Sequence, residues 1–345
     1  MTSAIASNET DAGAREQDRG SRWASPLLCL LAAGFVCVSF FIGPSHLSAG
    51  AIVKGLFDGH GAAGVIAREI RLPRALLAFV VGGALGASGA ALQGLFRNPL
   101  ADPGVTGVTS SAGLGAVLAL HFGWTIINPA FLPAFAIAGA LASAGILYAL
   151  SRGGAGTMAL VLGGVAISSL ATALMALALA TAPNPFALSE MVQWTMGDLR
   201  DLTLGDLSYA APIMLAGVAL LATTGRGLDA LTLGDDAAQS LGINVAGLRG
   251  RTVIGVALAA SAASATAGNV SFVGLVVPHL LRRFYGYEPG RLILPSMLGG
   301  GALVSAADIA VRLLTPDGQL PLGVLTALLG APFFIWLIIR IRRDA

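Results

Sequence analysis

The chain has 345 residues, of which 55% are hydrophobic and 11% charged, against roughly 25% charged in an ordinary soluble domain. Its 20 basic and 18 acidic residues leave a net charge of +2, and Lys54 is the sole lysine among the arginines. This excludes a water-soluble globular protein, and without a basic patch it excludes nucleic-acid binding. The apolar residues fall in long blocks of Ala, Leu, Val, Gly and Ile, the pattern of an all-α polytopic membrane protein.

Residues 1–24 are polar, carry Arg15, Arg19 and Arg22, and read as a solvated cytoplasmic N-terminal tail. The tail is too long and too acidic for the n-region of a signal peptide, so the first apolar block, Pro26 to Ile42, is expected to be retained. Cys29 and Cys37 share that block. Eight residues of helix set them about 12 Å apart, which excludes a disulfide between them. Further blocks recur near 75–95, 105–121, 130–150, 158–181, 208–223, 253–268, 270–281, 292–314 and 322–339. That makes ten, although 270–281 is too short to cross a hydrocarbon layer of about 30 Å alone.

Charge distribution decides between ten spans and nine. With ten spans starting inside, both tails are cytoplasmic and most of the arginines lie on the inner side, as the positive-inside rule requires. The outside set is Lys54, Arg68, Arg71, Arg74, Arg200 and Arg312. Only the run at 68–74 resists the rule, and that invites a functional reading. Small residues crowd GGALGASGAALQG (82–94) and GGGALVSAAD (299–308), which lets helix backbones approach closely.

A P-loop needs lysine after glycine, but Lys54 follows Val53 and precedes Gly55. Any ATPase is therefore another chain. Asp308 is the one acid well inside an expected span, with Arg312 a turn later, and the two read as a neutralised structural pair. Ion-coupled secondary transport through Asp308 is a distant alternative. The histidines His46, His60, His121 and His279 are scattered and form no haem or metal site. The longest polar insertion, 225–251, reads as a cytoplasmic loop with two short helices, Leu228 to Leu233 and Ala237 to Leu241. Asp235 and Asp236 suit the N-cap and first turn of the second, and Gly242 closes it. By composition this is either a docking surface or a solvated connection.

The runs IRLPRALLAFVVGGALGASGAALQGLFRNPLADPGVTGV (70–108), LGDDAAQSLGINV (233–245), FVGLVVPHLLRR (272–283) and LPLGVLTALLGAPFFIWLI (320–338) resemble the FecCD family. These are permease subunits of ABC importers for ferric siderophores, haem and cobalamin. The similarity runs from about residue 26 to 340 in the same order and spacing.

The resemblance implies a type II ABC importer permease, with residues 25–345 as its permease domain. It implies a homodimer of ten-helix subunits in the bacterial inner membrane, both termini cytoplasmic. Each subunit docks one cytoplasmic ATPase, which holds the ATP and Mg while this chain binds no cofactor, and a periplasmic binding protein delivers cargo. Carried over residue by residue, Asp235, Asp236, Ala237, Ala238, Ser240, Leu241 and Gly242 couple to the ATPase. Arg71, Arg74 and Arg312 face acidic residues of the binding protein, the alternative being arginines that snorkel to headgroup phosphates. Asn98, Pro99, Leu100 and Thr157 form the inner gate, and Trp194, Met196 and Asp198 stand at the periplasmic mouth, either as cargo contacts or, for Trp194, as an interfacial anchor. The expected cargo is an iron chelate, ferric siderophore or haem, with cobalamin second.

Overall fold

The computed structural model describes residues 23–345 except 44, 46, 59–60, 105, 153–156, 316–319 and 345, and gives only the backbone of 151, 152, 157, 338 and 341–344. The N-terminal tail, apart from its last two residues, lies outside the described residues, as do His46 and His60. The first helix, α1, is Trp23–Phe41. There follow α2 (Ala49–Asp58), α3 (Gly61–Val65), a π-helical turn (Ile66–Arg71), α4 (Leu72–Phe96), α5 (Val108–His121), α6 (Trp124–Ile127), α7 (Phe131–Arg152) and α8 (Thr157–Ala180). The second half holds α9 (Pro185–Met196), α10 (Leu204–Ala222), α11 (Gly225–Leu231), α12 (Asp235–Ser240), α13 (Val245–Ala267), α14 (Val273–Tyr285), α15 (Pro289–Leu314) and α16 (Leu322–Asp344).

Each of the ten apolar blocks contains a helix: α1, α4, α5, α7, α8, α10, α13, α14, α15 and α16. Among the described residues, 7 helices are long and apolar enough to cross a membrane, by length and composition. The other three are short: α5 has 14 residues, α14 has 13, and the apolar part of α16 is Leu322–Leu337. At 1.5 Å per residue α14 covers about 20 Å. Irregular backbone precedes both α5 and α14, and the segment before α5 meets the first turn of α14 inside the protein. A Cβ added to Gly274 would sit 2.9 Å from the Asp102 carboxylate and 3.0 Å from Pro103. Non-helical backbone is tolerated at membrane depth only where protein surrounds it in this way.

The bundle has two distinct ends. At one, Ser25 at the start of α1 hydrogen-bonds Tyr285 at the finish of α14, 3.0 Å apart. Helix α16 runs beside α14 from the contact of Gly330 with Phe272 to the ring contact of Phe333 with His279. Hence α1 starts and α16 finishes at the same end, where α12 also lies. The opposite end carries α9.

Helix α4 is the buried axis, enclosed along its whole stretch from Gly82 to Phe96. Its main neighbour is α15. A Cβ on Gly86 would overlap the carbonyl oxygen of Ser296, and one on Gly82 the carbonyl of Gly300. Small residues four apart on both helices form one seam with no side chain between the backbones. By contrast α1 and α8 leave most of their apolar surface uncovered. Cys29 and Cys37 are free thiols on the exposed surface of α1.

Gly86→Val pushes carbon into the Ser296 carbonyl and is expected to cost about 1–3 kcal/mol or more, read as a lower melting temperature in detergent. Gly34→Val, at a site where a Cβ meets nothing within 4 Å, leaves the melting temperature unchanged.

Candidate functional site

At the α12 end, the loop between α10 and α13 is bolted to three spans. Gly234, at φ 105°, takes the N-cap of α12, so Asp235 is the first helical residue rather than the expected cap. Its carboxylate instead pairs with Arg249 of α13 at 2.6 Å and Arg97 at the end of α4 at 3.5 Å. Asp229 of α11 accepts a hydrogen bond from the Gly290 amide, 2.7 Å, at the start of α15. Burial pushes the Asp229 carboxyl above its ordinary range, and the Gly290 amide acts in the opposite direction.

The two short helices begin earlier than the sequence pattern suggests, because Gly225 packs against Gly290 and the Asp235 ion pairs hold the first turn of α12. Helix α12 closes as expected at Gly242. The Gly242 amide donates to the Gln239 carbonyl (2.9 Å) and the Ile243 amide to the Ala238 carbonyl (3.0 Å), with Gly242 at φ 81°. This paired arrangement needs a left-handed residue, which glycine adopts without strain. Ala238 is buried and Ala237 half-buried, while Asp236, Ser240, Leu241 and Gly242 face outward. Leu241 is 63% exposed and Leu233 68%, so a short polar helix presents two bare leucines on a rigid mount.

At the opposite end, Asn184 caps α9 by accepting from the Ala187 amide, 2.9 Å. Beyond α9, the Asp198 amide donates to the Ala267 carbonyl, 2.9 Å, tying the connection to the end of α13. An open cleft of about 920 Å³ lies here, lined among others by Glu190, Trp194, Asp198, Arg200, Asp201 and Asp206. Deeper, a cavity of about 360 Å³ is lined among others by Thr109, Ser110, Thr172, Thr195, Ser264 and Asn269, with no charged side chain among the described residues. Trp194 borders both spaces. Asp198 borders the outer one and is pinned by the Arg200 guanidinium and by the Leu199 amide at 2.7 Å. Met196 lines neither.

The three arginines expected at a docking surface are drawn together inside the chain. Arg74 donates through Nε and Nη2 to Asp308, 2.9 and 2.7 Å, and Arg312 pairs with the other oxygen of the same carboxylate. Arg312 also donates to the carbonyls of Ser39 and Ile42, and Arg71 to those of Phe41 and Ser45. These carbonyls belong to the last turn of α1 and the residues after it, which have no helical donor and attract cations. Arg71 is only 3% exposed. The cluster therefore locks α1, α4 and α15 at the α9 end.

Among the gate residues, Asn98, Pro99 and Leu100 form the turn that ends α4. The Asn98 amide donates to the Gln93 carbonyl and its side chain accepts from the Leu100 amide, 3.0 Å. Thr157 opens α8, and its side chain lies outside the described residues. Sequence reasoning missed Arg97, Arg249 and Gln93 as partners, though a lone glutamine in a 25-residue apolar helix was a visible signal.

The model of the FecCD transport family matches residues 29–340. The chain is 41% identical over 286 residues to the hemin transport system permease protein HmuU of Yersinia pestis, covering 80% of this chain and 84% of that protein. It is 35% identical to the Fe(3+) dicitrate transport system permease protein FecD of Escherichia coli, covering 91% and 98%. It is 38% identical to the vitamin B12 import system permease protein BtuC of Yersinia enterocolitica, covering 79% and 82%. A solved structure described as an inward-facing conformation of an ABC transporter assigned to the metal-chelate type superposes with TM-score 0.80 at 30% identity, covering 91% of this chain and 97% of that one.

Asp308→Asn leaves Arg74 and Arg312 buried without their carboxylate, and is expected to cost about 3–5 kcal/mol, read as a lower melting temperature. Because the cluster is enclosed, the parent protein's melting temperature stays unchanged between about 0.1 and 1 M NaCl.

Proposed function

The chain belongs to the FecCD transport family, and we propose that it is the permease subunit of an ATP-driven importer that carries an iron chelate, ferric siderophore or haem, across a bacterial inner membrane by alternating access. It is a multi-span membrane protein and a transport permease of the ABC class rather than an enzyme. In this reading a separate ATPase binds the ATP and Mg, and this chain holds no cofactor.

The observation that carries the reading is the rigidly mounted outer face of α12. Asp236, Ser240, Leu241 and Gly242 stand clear of the bundle, while Asp235 ties the helix to α4 and α13 through Arg97 and Arg249. A force applied to that face reaches two central spans without passing through a flexible link. We place this end in the cytoplasm, with both termini. Exposed Arg97, Arg226, Arg251, Arg283 and Arg291 gather there, whereas the arginines that resist the positive-inside rule at the other end are taken up by the end of α1 (Arg71), by Asp308 (Arg74) and by the Leu56 and Phe57 carbonyls of α2 (Arg68).

The α9 end then receives the periplasmic binding protein. Arg71, Arg74 and Arg312 serve that docking by fixing the helix ends beneath the surface, with Arg74, its side chain 14% exposed, the one nearest to direct contact. The bare face of α8 meets a second copy of this chain, and the path lies between the two copies. Trp194 and Asp198 meet cargo first, the uncharged hydroxyl-lined cavity passes it on without holding it, and the Asn98–Leu100 turn with Thr157 closes the inner side. The hemin and ferric dicitrate relatives favour an iron chelate. The vitamin B12 relative supports cobalamin as the second reading.

Proteoliposomes holding the permease, its ATPase and its binding protein are offered hemin, ferric dicitrate and vitamin B12 in turn. One iron compound is expected to enter only with ATP, and entry of vitamin B12 alone selects the second reading. Uptake that ignores ATP and follows a proton gradient overturns the proposal and revives Asp308 as an ion site. In the same system Leu241→Ala with Gly242→Ala is expected to lower uptake at least about tenfold, by loss of a buried contact and strain at a left-handed position, while ATP hydrolysis continues.

A further inference from the structure

Helix α14 contains a break in its own hydrogen bonding. Pro278 has no N–H, so the Gly274 carbonyl four residues earlier loses its helical donor. Orphaned carbonyls inside a membrane protein must find another partner. Here the partner comes from a different span. The Gln93 amide nitrogen donates to the Gly274 carbonyl at 3.1 Å and lies 3.5 Å from that of Leu275. On its other side, the Gln93 oxygen accepts from Arg282, 2.7 Å away, further along α14. Gln93 is only 3% exposed, and the Arg282 Nε has no hydrogen-bond partner among the described residues. The helices touch backbone to backbone beside this bridge, since a Cβ on Gly89 would overlap Gly274.

Gln93 also lies on a continuous line of contacts. Asp235 of α12 holds Arg97, which caps α4. One turn back, the Gln93 carbonyl accepts from the Asn98 amide, and the Gln93 side chain grips the start of α14. Three residues before Gly274, Ser271 lines the 360 Å³ cavity. We propose that Gln93 is a positioning residue for transport: by standing in for the donor that Pro278 lacks, it makes α14 move with α4, so that displacement at α12 reaches the cavity wall. This rests on the reading of α12 as the ATPase-facing surface.

The test separates a transmitting role from a merely stabilising one, since contact along a line is not itself coupling. A Cys29→Ala, Cys37→Ala, Ser271→Cys parent is combined with its ATPase in nanodiscs. Maleimide labelling rate, ATP hydrolysis and melting temperature are measured with and without ATP plus vanadate. In the parent, nucleotide is expected to change the labelling rate at least about fivefold. Adding Gln93→Leu is expected to reduce that change below about twofold and lower the melting temperature, while ATP hydrolysis persists. Adding Pro278→Ala as well returns an N–H to the Gly274 carbonyl. It is expected to restore the melting temperature but not the labelling response, because α14 is mended without being rejoined to α4. A full response in Gln93→Leu, or a response restored by Pro278→Ala, overturns the proposal. A parent whose labelling ignores nucleotide overturns the ATP-driven reading itself, and the proposal with it.

Discussion

Where α4 crosses α15, the two backbones touch with no side chain between them, because Gly82 and Gly86 on one helix meet Ser296 and Gly300 on the other. In lipid the hydrophobic effect does not press helices together, so close van der Waals contact of this kind must do so. The seam puts α4 at the centre of the bundle. Its glycines also admit α14, whose Gly274 lies against Gly89. The remaining spans are arranged around this three-helix unit.

A single carboxylate organises each end of the central unit. At the α9 end Asp308 gathers Arg74 and Arg312, and at the α12 end Asp235 gathers Arg97 and Arg249. In both places α4 contributes one arginine, from its first turn and from its cap. The two clusters differ in exposure. The side chain of Asp308 is 1% exposed and that of Asp235 35%. The inner pairs are desolvated, so losing a partner is costly. The outer pairs sit in higher dielectric, where losing a partner costs less. Thus α4 is anchored at both ends, by a dry cluster at one and a more solvated cluster at the other.

The two spaces at the α9 end differ in charge. The outer cleft is charged and open, while the deeper cavity is lined, among the described residues, by hydroxyl, amide, aromatic and thioether side chains and by glycines. A charged wall at depth would either hold an ion of opposite sign or repel one of like sign, whereas neutral dipoles do neither strongly. Trp194, which borders both, is rigid and amphipathic, with an apolar ring and one N–H donor.

Much of this architecture is written locally in the chain. Ten apolar blocks, a polar loop before α13, a glycine to close α12 and the absence of a P-loop all follow from hydropathy and turn chemistry over short windows, and each of the ten blocks contains a helix. The loop's helix boundaries moved because Asp235 pairs with arginines of α4 and α13 rather than capping its own helix. The pairing of Asp308 with Arg312 was legible from their i, i+4 spacing, but the partners of Arg71 and Arg74 were not. These arginines looked outward in the sequence because they lie near span ends. Yet Arg74 finds Asp308 across 234 residues, and Gln93 finds Arg282 across 189. The sequence by itself determined a helical, membrane-spanning protein, because lipid sorts residues by polarity one segment at a time. Only the tertiary structure decided which buried polar group answers which. That choice depends on helix pairing, and helix pairing is determined by the shapes of glycine-lined surfaces distant from one another along the chain.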